Sequence, residues 1–444
     1  MKLGIIGTGY VGLTTGALFA DRGNKVICVD KNPQIIESLL RGDIHIFEPG
    51  LAELVNINRQ RGNLSFSMDL NTAVREVEVT FIAVGTPPRE DGSANLDYIL
   101  QAAGDIGTAL QNQKDFHVVV CKSTVPPGTG KLLTDKINLS LESAVDWAYV
   151  SNPETLSEGT AVSDFEKPDR IIVGTDSDRA FSVMRQLYHP FIRQSESILR
   201  GSVVDAEVAK YGANSLLAAR VALNNEIAAL TGILGGDADI VRKMIGSDAR
   251  IGLHFLFPSP GYGGSCFPKD VRAITATARG LGYTPVLLGS IDKSNKAHKE
   301  RTADMIWENL SNKTAPVLAC WGATFKAGTD DVREAPALTI IPRLLTRSTG
   351  LSVQMYDPQD SKARVEFRKE SRVRFANSQY EAVEGADALV LMTEWRQFDS
   401  PDYSMLRGKM RGRQLCDLRN RWVPEAANKE GFSYMGIGRN YPLE

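Results

Sequence analysis

The chain has 444 residues, of which 43% are hydrophobic and 23% charged, with a formal net charge of −2. That length holds about three domains, and the balance of charge offers no basic excess for nucleic acid and no charged tail for an electrostatic partner. Met1 to Ile6 enters on a strand pattern instead of a charged and apolar leader, and no uninterrupted apolar run approaches membrane-spanning length. A cytoplasmic protein with no membrane role is expected.

The cysteines, at 28, 121, 266, 320 and 416, are odd in number, scattered and without a C-x-x-C pair, which argues against both disulfides and zinc; no metal is expected. Cys28, Cys121, Cys320 and Cys416 lie in apolar strand-like runs, where a small buried hydrophobe is the default. Histidine is scarce, so acid and base work falls to Lys, Asp, Glu or water.

Lys2 to Ile6 reads as a buried strand, followed by Gly7-Thr8-Gly9-Tyr10-Val11-Gly12 and an apolar helix reaching Asp21. In that setting Gly7 makes the turn, Gly9 admits a pyrophosphate to the helix N-terminus, and Gly12 allows close packing of helix on strand. Asp30 ends the next strand, where a carboxylate hydrogen-bonds ribose hydroxyls and repels a 2′-phosphate. The pattern indicates NAD over NADP; a purely structural turn is the alternative.

Strands follow at Val77 to Val84, leading into Gly85-Thr86-Pro87, and at Phe116 to Cys121, leading into Ser123-Thr124-Val125-Pro126. Strand C-termini are where such sheets bind ligands. Gly128-Thr129-Gly130-Lys131 imitates the end of a phosphate loop, but Val125 replaces its first glycine and Leu132 its hydroxyl residue, so ATP binding is rejected. Trp147 to Val150 delivers Asn152 to Gly159, whose Glu154 and Glu158 are, on the ordinary reading, solvated. Asp164 to Gly174 reads as a loop and a strand that close the first domain near residue 198.

Ser202 and Asp205 resemble a capping box opening a helix of about nine turns to Gly235-Gly236. Lys210 and Asn214 are i,i+4 neighbours on it, although a solvated surface is the usual place for such a lysine. A short helix and Arg250 to Phe255 then lead into Gly261-Tyr262-Gly263-Gly264-Ser265-Cys266-Phe267-Pro268-Lys269-Asp270. Glycines at that density permit tight folding and close approach to a ligand. Pro268 suits the first position of a helix running to Gly280, which leaves Cys266 just before an N-terminus that favours a thiolate. A buried structural cysteine is the ordinary reading of a lone Cys, and the loop brings the two readings near parity.

After a helical connector over 285–311 the α/β rhythm restarts. Strands at Ala315 to Trp321, Val353 to Tyr356, Ala388 to Met392 and Gln414 to Asp417 form a second doubly wound sheet that lacks the glycine fingerprint. Lys326, Asp330, Asp331, Arg333 and Glu334 crowd one strand exit, a position that favours ligand contact over a solvated loop.

Together these motifs resemble the UDP-glucose/GDP-mannose 6-dehydrogenase family along essentially the whole chain. The stretches that carry the resemblance are Gly7 to Gly12, Glu48 to Leu51, Gly85 to Pro87, Ser123 to Gly128, Asn152 to Gly159, Asp164 to Gly174, Lys210 to Asn214, Asn225-Glu226, Gly261 to Asp270, Phe325 to Pro336 and Gly436 to Arg439. The cysteine loop is more similar to the UDP-glucose branch than to the GDP-mannose or UDP-N-acetylhexosamine branches. Thr155, Arg220 and His45-Ile46-Phe47 depart from the usual pattern, and Thr155 leaves the sugar open.

The resemblance implies two Rossmann-like doubly wound parallel-sheet domains, at 1–199 for NAD and 313–444 for a UDP-sugar, joined through a helical dimerisation region at 200–312. It implies a four-electron oxidation of a sugar C6 alcohol to a carboxylate with two NAD and one water. Lys210, Asn214 and Asp270 would handle the hydroxyl and stabilise the oxyanion, Cys266 would form a thiohemiacetal and then a thioester, and Glu154 with Thr124 would direct the hydrolytic water. Cofactor contacts are expected at Gly7, Gly9, Tyr10, Val11, Gly12, Asp30, Lys31, Thr86, Thr124, Glu158 and Arg333. Substrate contacts are expected at Glu154, Leu156, Glu158, Lys210, Asn214, Arg250, Phe255, Tyr262, Gly263, Lys326 and Arg419, with Arg250 reaching a partner subunit of a homodimer built on the central helix. Another nucleotide sugar is the nearest alternative reading, and a non-catalytic nucleotide-binding protein the more distant one.

Overall fold

A computed structural model describes residues 1–111, 113–192 and 197–441. The chain divides into two compact units, Met1–Ala213 with Ala273–Tyr283, and Asn214–Arg272 with Thr284–Glu444.

In the first unit eight strands form one sheet: β1 Lys2–Ile6, β2 Lys25–Val29, β3 Leu64–Ser67, β4 Val79–Ile82, β5 His117–Cys121, β6 Trp147–Ser151, β7 Ile171–Gly174 and β8 Ile198–Gly201. Their spatial order is β3-β2-β1-β4-β5-β6-β7-β8. All neighbours are parallel except β6 and β7, which meet antiparallel at Ser151 and Gly174. Both faces are buried, so the strands read as continuous apolar runs. Leu3, Ile5, Val118 and Val120 pack into one core, whereas Ile6, Val119 and Cys121 pack into the other. Each such side chain fully buried contributes about 1.5–3 kcal/mol.

The second unit repeats the plan with β9 Val317–Trp321, β10 Ser352–Tyr356, β11 Val373–Phe375, β12 Ala388–Leu391, β13 Gln414–Asp417, β14 Ser433–Gly436 and β15 Arg439–Tyr441. The order is β11-β10-β9-β12-β13-β14-β15, with only the last pair antiparallel. Leu318 and Cys320 face one core and Ala319 and Trp321 the other. In each sheet the order reverses beside the first strand, at β1/β4 and β9/β12, the position where open α/β sheets take ligands. The four cysteines other than Cys266 are buried in strands.

The expected capping box forms. Ser202 N–H donates to Asp205 Oδ2 at 2.9 Å and Asp205 N–H to Ser202 Oγ at 3.2 Å, opening the 31-residue helix Val203–Ile233. The stretch from Asp164, read from sequence as a loop, begins inside a short helix, Ala161–Glu166. Asp164 accepts from Ser157 N–H at 2.9 Å and from the Thr160 hydroxyl at 3.1 Å, closing a turn whose span is too short to show helical periodicity. The glycine run that imitated a phosphate loop is occupied from within. Glu207, 2% exposed, accepts from Gly128 and Gly130 N–H at 2.7 Å each, taking the donors a phosphate would need at the start of helix Thr129–Ser140. Glu207→Ala, which strands these donors, is expected to lower stability by about 2–3 kcal/mol in urea unfolding, with no gain of ATP affinity.

Candidate active site

The fingerprint glycines of the first unit do different things. Gly7 has φ +102°, and a Cβ there would lie 2.6 Å from Ala83 O; a Cβ on Gly12 would lie 1.9 Å from Gly7 O. Both are needed by the fold itself. A Cβ on Gly9 would meet nothing within 4 Å, so the open space is at the one glycine whose expected role is to admit a pyrophosphate. Tyr10 and Val11 open helix Tyr10–Asp21 on that space. Asp30 Oδ2 accepts from Thr8 N–H at 2.9 Å and Thr8 Oγ at 2.8 Å, which fixes the carboxylate beside the fingerprint turn. Lys31 lies over the Tyr98 ring at 4.6 Å, and Thr86 Oγ donates to Thr124 O at 2.8 Å. These residues fit a dinucleotide.

Glu154 and Lys210 overturn the ordinary readings of both. Their side chains are 6% and 9% exposed and form an ion pair at 2.6 Å. Leu156 N–H donates to the other Glu154 oxygen at 2.6 Å. Burial pushes the Glu154 carboxyl up, but the charge and hydrogen bond of Lys210, the Leu156 N–H and the charge of Lys122 outweigh it, so the group lies below the usual carboxylate range. The loop is anchored further along by Glu48, 6% exposed, which accepts from Gly159 N–H at 2.6 Å, Ala161 N–H at 2.8 Å and the Tyr10 hydroxyl. Tyr10, expected at the cofactor, thus also ties its helix to the loop carrying half-buried Glu158.

In the second unit Cys266 is half-buried and immediately precedes helix Phe267–Gly280, and its carbonyl accepts from Asp270 N–H at 2.8 Å. The positive end of the helix therefore faces the residue that carries the sulfur. Asp270, 1% exposed, accepts from Asn214 Nδ2 and from Lys269 Nζ, each at 2.6 Å. The loop glycines have a purpose the sequence did not show. A Cβ on Gly263 would lie 2.4 Å from Glu334 O, and one on Gly264, at φ +84°, would lie 2.8 Å from the Phe325 ring. Their bare Cα atoms let the cysteine loop lie against the charged strand exit, and Gly264 N–H bonds Arg333 O at 2.8 Å.

That contact gathers several expected substrate residues. Tyr262 is buried, and Asn295 grips its backbone from both sides, at 2.9 and 3.0 Å. Arg419 donates to Phe325 O at 3.1 Å and Met392 O at 2.8 Å, and Lys326 extends from the same segment. Phe255 sits at φ +60°, a left-handed conformation that costs a non-glycine residue on the order of 1 kcal/mol. Its ring lies 6.1 Å from that of Phe267, next to Cys266. Arg333 is held by Asp331 through Nη2 at 2.7 Å, and exposed Arg250 by Asp248 at 2.7 Å.

Lys122, Glu48, Glu207, Lys269 and Asn295 were not among the residues expected at the site. Glu48 and Lys269 stood inside quoted motifs, whereas Asn295 and Glu207 act on partners distant in sequence. Among the described residues no group of three or more His, Cys, Asp or Glu is arranged to hold a metal, and no helix is long and apolar enough to cross a membrane.

Two switch-point sheets, one with a dinucleotide cradle, and a cysteine at a helix N-cap describe a nucleotide-dependent dehydrogenase. The chain belongs to the UDP-glucose/GDP-mannose dehydrogenase family, matching its NAD binding domain at residues 1–192, its central domain at 204–297 and its UDP binding domain at 319–424. It is 43% identical to a UDP-glucose 6-dehydrogenase of Pseudomonas aeruginosa, over 99% of this chain and 98% of that one. It is 41% identical to a UDP-glucose 6-dehydrogenase of Rhizobium meliloti, over 99% and 100%. The solved structure of a UDP-glucose dehydrogenase from Pyrobaculum islandicum is similar with a TM-score of 0.89 and 34% identity, covering 98% of this chain and 97% of that one.

The two glycines separate in a simple test. Gly12→Ala is expected to destabilise the fold by about 1–3 kcal/mol, while Gly9→Ala leaves the melting temperature in place and weakens NAD binding at least tenfold by titration. Lys210→Met strands a buried carboxylate and is expected to cost about 3–5 kcal/mol at pH 7. In the native protein the pair's contribution is complete above the ordinary carboxylate value and is lost as pH falls through the lower folded value. In the variant the sign reverses, and stability recovers on acidification as Glu154 protonates, which unfolding curves across pH will detect.

Proposed function

We propose that this protein is a UDP-glucose 6-dehydrogenase that converts the C6 alcohol of UDP-glucose to the carboxylate of UDP-glucuronate. The observation that carries the proposal is the arrangement around Cys266: a sulfur-bearing residue at a helix N-cap, one turn before a buried carboxylate that Asn214 and Lys269 hold. The names of the relatives supply the substrate.

In this reading Lys210, Asn214 and Asp270 hold the C6 hydroxyl and its proton, and stabilise negative charge on the oxygen. Bound NAD supplies the hydride acceptor for each of two oxidations. The Cys266 thiolate adds to the aldehyde carbon to give a thiohemiacetal, and loss of the second hydride leaves a thioester. Water placed by Thr124 adds to the thioester carbonyl with Glu154 assisting, the C–S bond breaks, and the thiolate returns. Alcohol, two NAD and one water thus become carboxylate, two NADH and three protons. Gly7, Gly9, Tyr10, Val11, Gly12, Asp30, Lys31, Thr86, Thr124, Glu158 and Arg333 would hold NAD. Leu156, Glu158, Phe255, Tyr262, Gly263, Lys326 and Arg419 would hold the sugar nucleotide, the two cations meeting diphosphate or base.

The three-part division at 199/200 and 312/313 belongs to this proposal, as does a homodimer. Leu216, Leu223 and Leu230 recur every seven residues on helix Val203–Ile233 and are 69%, 59% and 56% exposed, an apolar stripe suited to a second copy. Leu223→Glu is expected to shift sedimentation from dimer to monomer. Arg250 would complete the partner's site.

With UDP-glucose and NAD the protein should yield two NADH per sugar nucleotide, and a yield of one contradicts the thioester route. Cys266→Ser should retain nucleotide binding and slow the second oxidation. Initial rates with UDP-N-acetylhexosamine and GDP-mannose separate the alternative sugar, which Thr155, exposed on the Glu154 loop, keeps open.

A further inference from the structure

Lys122 follows β5 and is only 4% exposed, yet the catalytic scheme leaves it without a task. Its ammonium donates to Asn152 Oδ1 at 3.2 Å and to the Tyr188 hydroxyl at 3.1 Å, and Tyr188 in turn donates to the same Asn152 oxygen at 2.6 Å. Asn152 Nδ2 donates to Ile172 O at 2.7 Å, tying this triangle to β7. The ammonium also lies 5.7 Å from the centroids of both the Phe165 and Tyr188 rings, so the cation has an aromatic lining as well as hydrogen bonds. Asn152 is two residues before Glu154, and the triangle therefore fixes the start of the turn that presents that carboxylate.

Burying a lysine is expensive, and a structural role would be filled as well by an apolar side chain of similar size. What the ammonium adds is charge. Lys122 and Lys210 are both within electrostatic reach of Glu154, so two buried cations serve one buried carboxylate. The cavity bordered by Lys122, Asn152, Pro153, Leu156 and Tyr188 is about 20 Å³, room for a single water and far too small for a sugar nucleotide. Lys122 therefore does not meet substrate through it.

We propose that Lys122 is a positioning residue for Glu154: through Asn152 and Tyr188 it fixes the 152–154 turn, and its charge, added to that of Lys210, keeps the Glu154 carboxylate ionised as the acceptor of a proton from the hydrolytic water. The inference rests on the hydrolytic role proposed for Glu154. Burial pushes the Lys122 ammonium down to about 8, Glu154 opposing and Lys210 reinforcing that fall. Glu154, Lys210 and the Tyr188 hydroxyl are the groups that face Lys122, with Asp164 and Arg170 bordering the same cavity. Native Glu154 is thus ionised throughout the neutral range, and loss of Lys122 moves its protonation toward that range.

The test follows the fraction of enzyme carrying a covalent sugar-nucleotide acyl group during turnover, by acid quench and intact mass, from about pH 3.5 to 8, a range that spans protonation of a carboxylate held below its usual range. Lys122→Met, verified as folded by its thermal melt, should accumulate adduct at the acid end, with the midpoint of accumulation about one pH unit above that of the native enzyme. The KM for UDP-glucose should change less than twofold, and Lys122→Arg should restore the native profile. Should Lys122→Met not fold, Tyr188→Phe, which loosens the ammonium while keeping the ring, is scored on the same profile. A folded variant whose midpoint stays at the native value overturns the inference. Glu154→Gln run in parallel separates the two ideas: adduct at every pH upholds the hydrolytic role, while its absence removes that role whatever Lys122 does.

Discussion

The buried pair of Lys210 and Glu154 is the constraint from which the rest of the first unit's site follows. An isolated ion in that position is prohibitively costly, so each charge requires the other, and the remaining hydrogen-bonding capacity must be met locally. The Leu156 N–H meets part of it, which fixes the backbone of the loop. Glu48 fixes the same loop five residues further on and reaches the fingerprint helix through Tyr10. The positions of the loop, the long helix and the cofactor cradle are thus determined by buried carboxylates each shared among several donors.

The second unit obeys a steric constraint instead. The cysteine loop lies against the segment after β9 because Gly263 and Gly264 have no side chain, and Glu334 O and the Phe325 ring occupy the space a Cβ would need. The same closeness brings Arg333 O to Gly264 N–H and sets Arg419 on Phe325 O. Asp270 then organises the polar side of helix Phe267–Gly280, with both oxygens committed, one to Asn214 and one to Lys269. A residue held this firmly loses little entropy when it meets a ligand, which is the condition for pre-organised catalysis.

Much of this was legible in the sequence, and for physical reasons. Strands buried on both faces show as continuous apolar runs, and the helix start at Ser202 shows because capping is local chemistry. Cys266 was placed correctly before its helix, although the helix begins at Phe267 and puts Pro268 second. What could not be read is what depends on distant partners. Burial of Lys210 and Glu154 is set by residues 56 apart in sequence, and nothing in the loop around Glu154 announces it. Lys122 follows an apolar strand, where the pattern recorded the hydrophobes and gave no weight to the cation. The purpose of Gly263 was misread in part: density of glycine signals close approach, but not whether a ligand or the chain's own backbone does the approaching.

Oxidation through Cys266 requires a covalent acyl-enzyme, which hydroxylamine traps. Under turnover with UDP-glucose and NAD, a thioester is cleaved by hydroxylamine to the glucuronyl hydroxamate, whereas a free aldehyde gives an oxime. The hydroxamate of the UDP-sugar is the expected product, with its yield sharply reduced in Cys266→Ser, whose hydroxyl is the poorer nucleophile. Oxime as the trapped product, or carboxylate alone with no hydroxamate at any trap concentration, would contradict the thioester route.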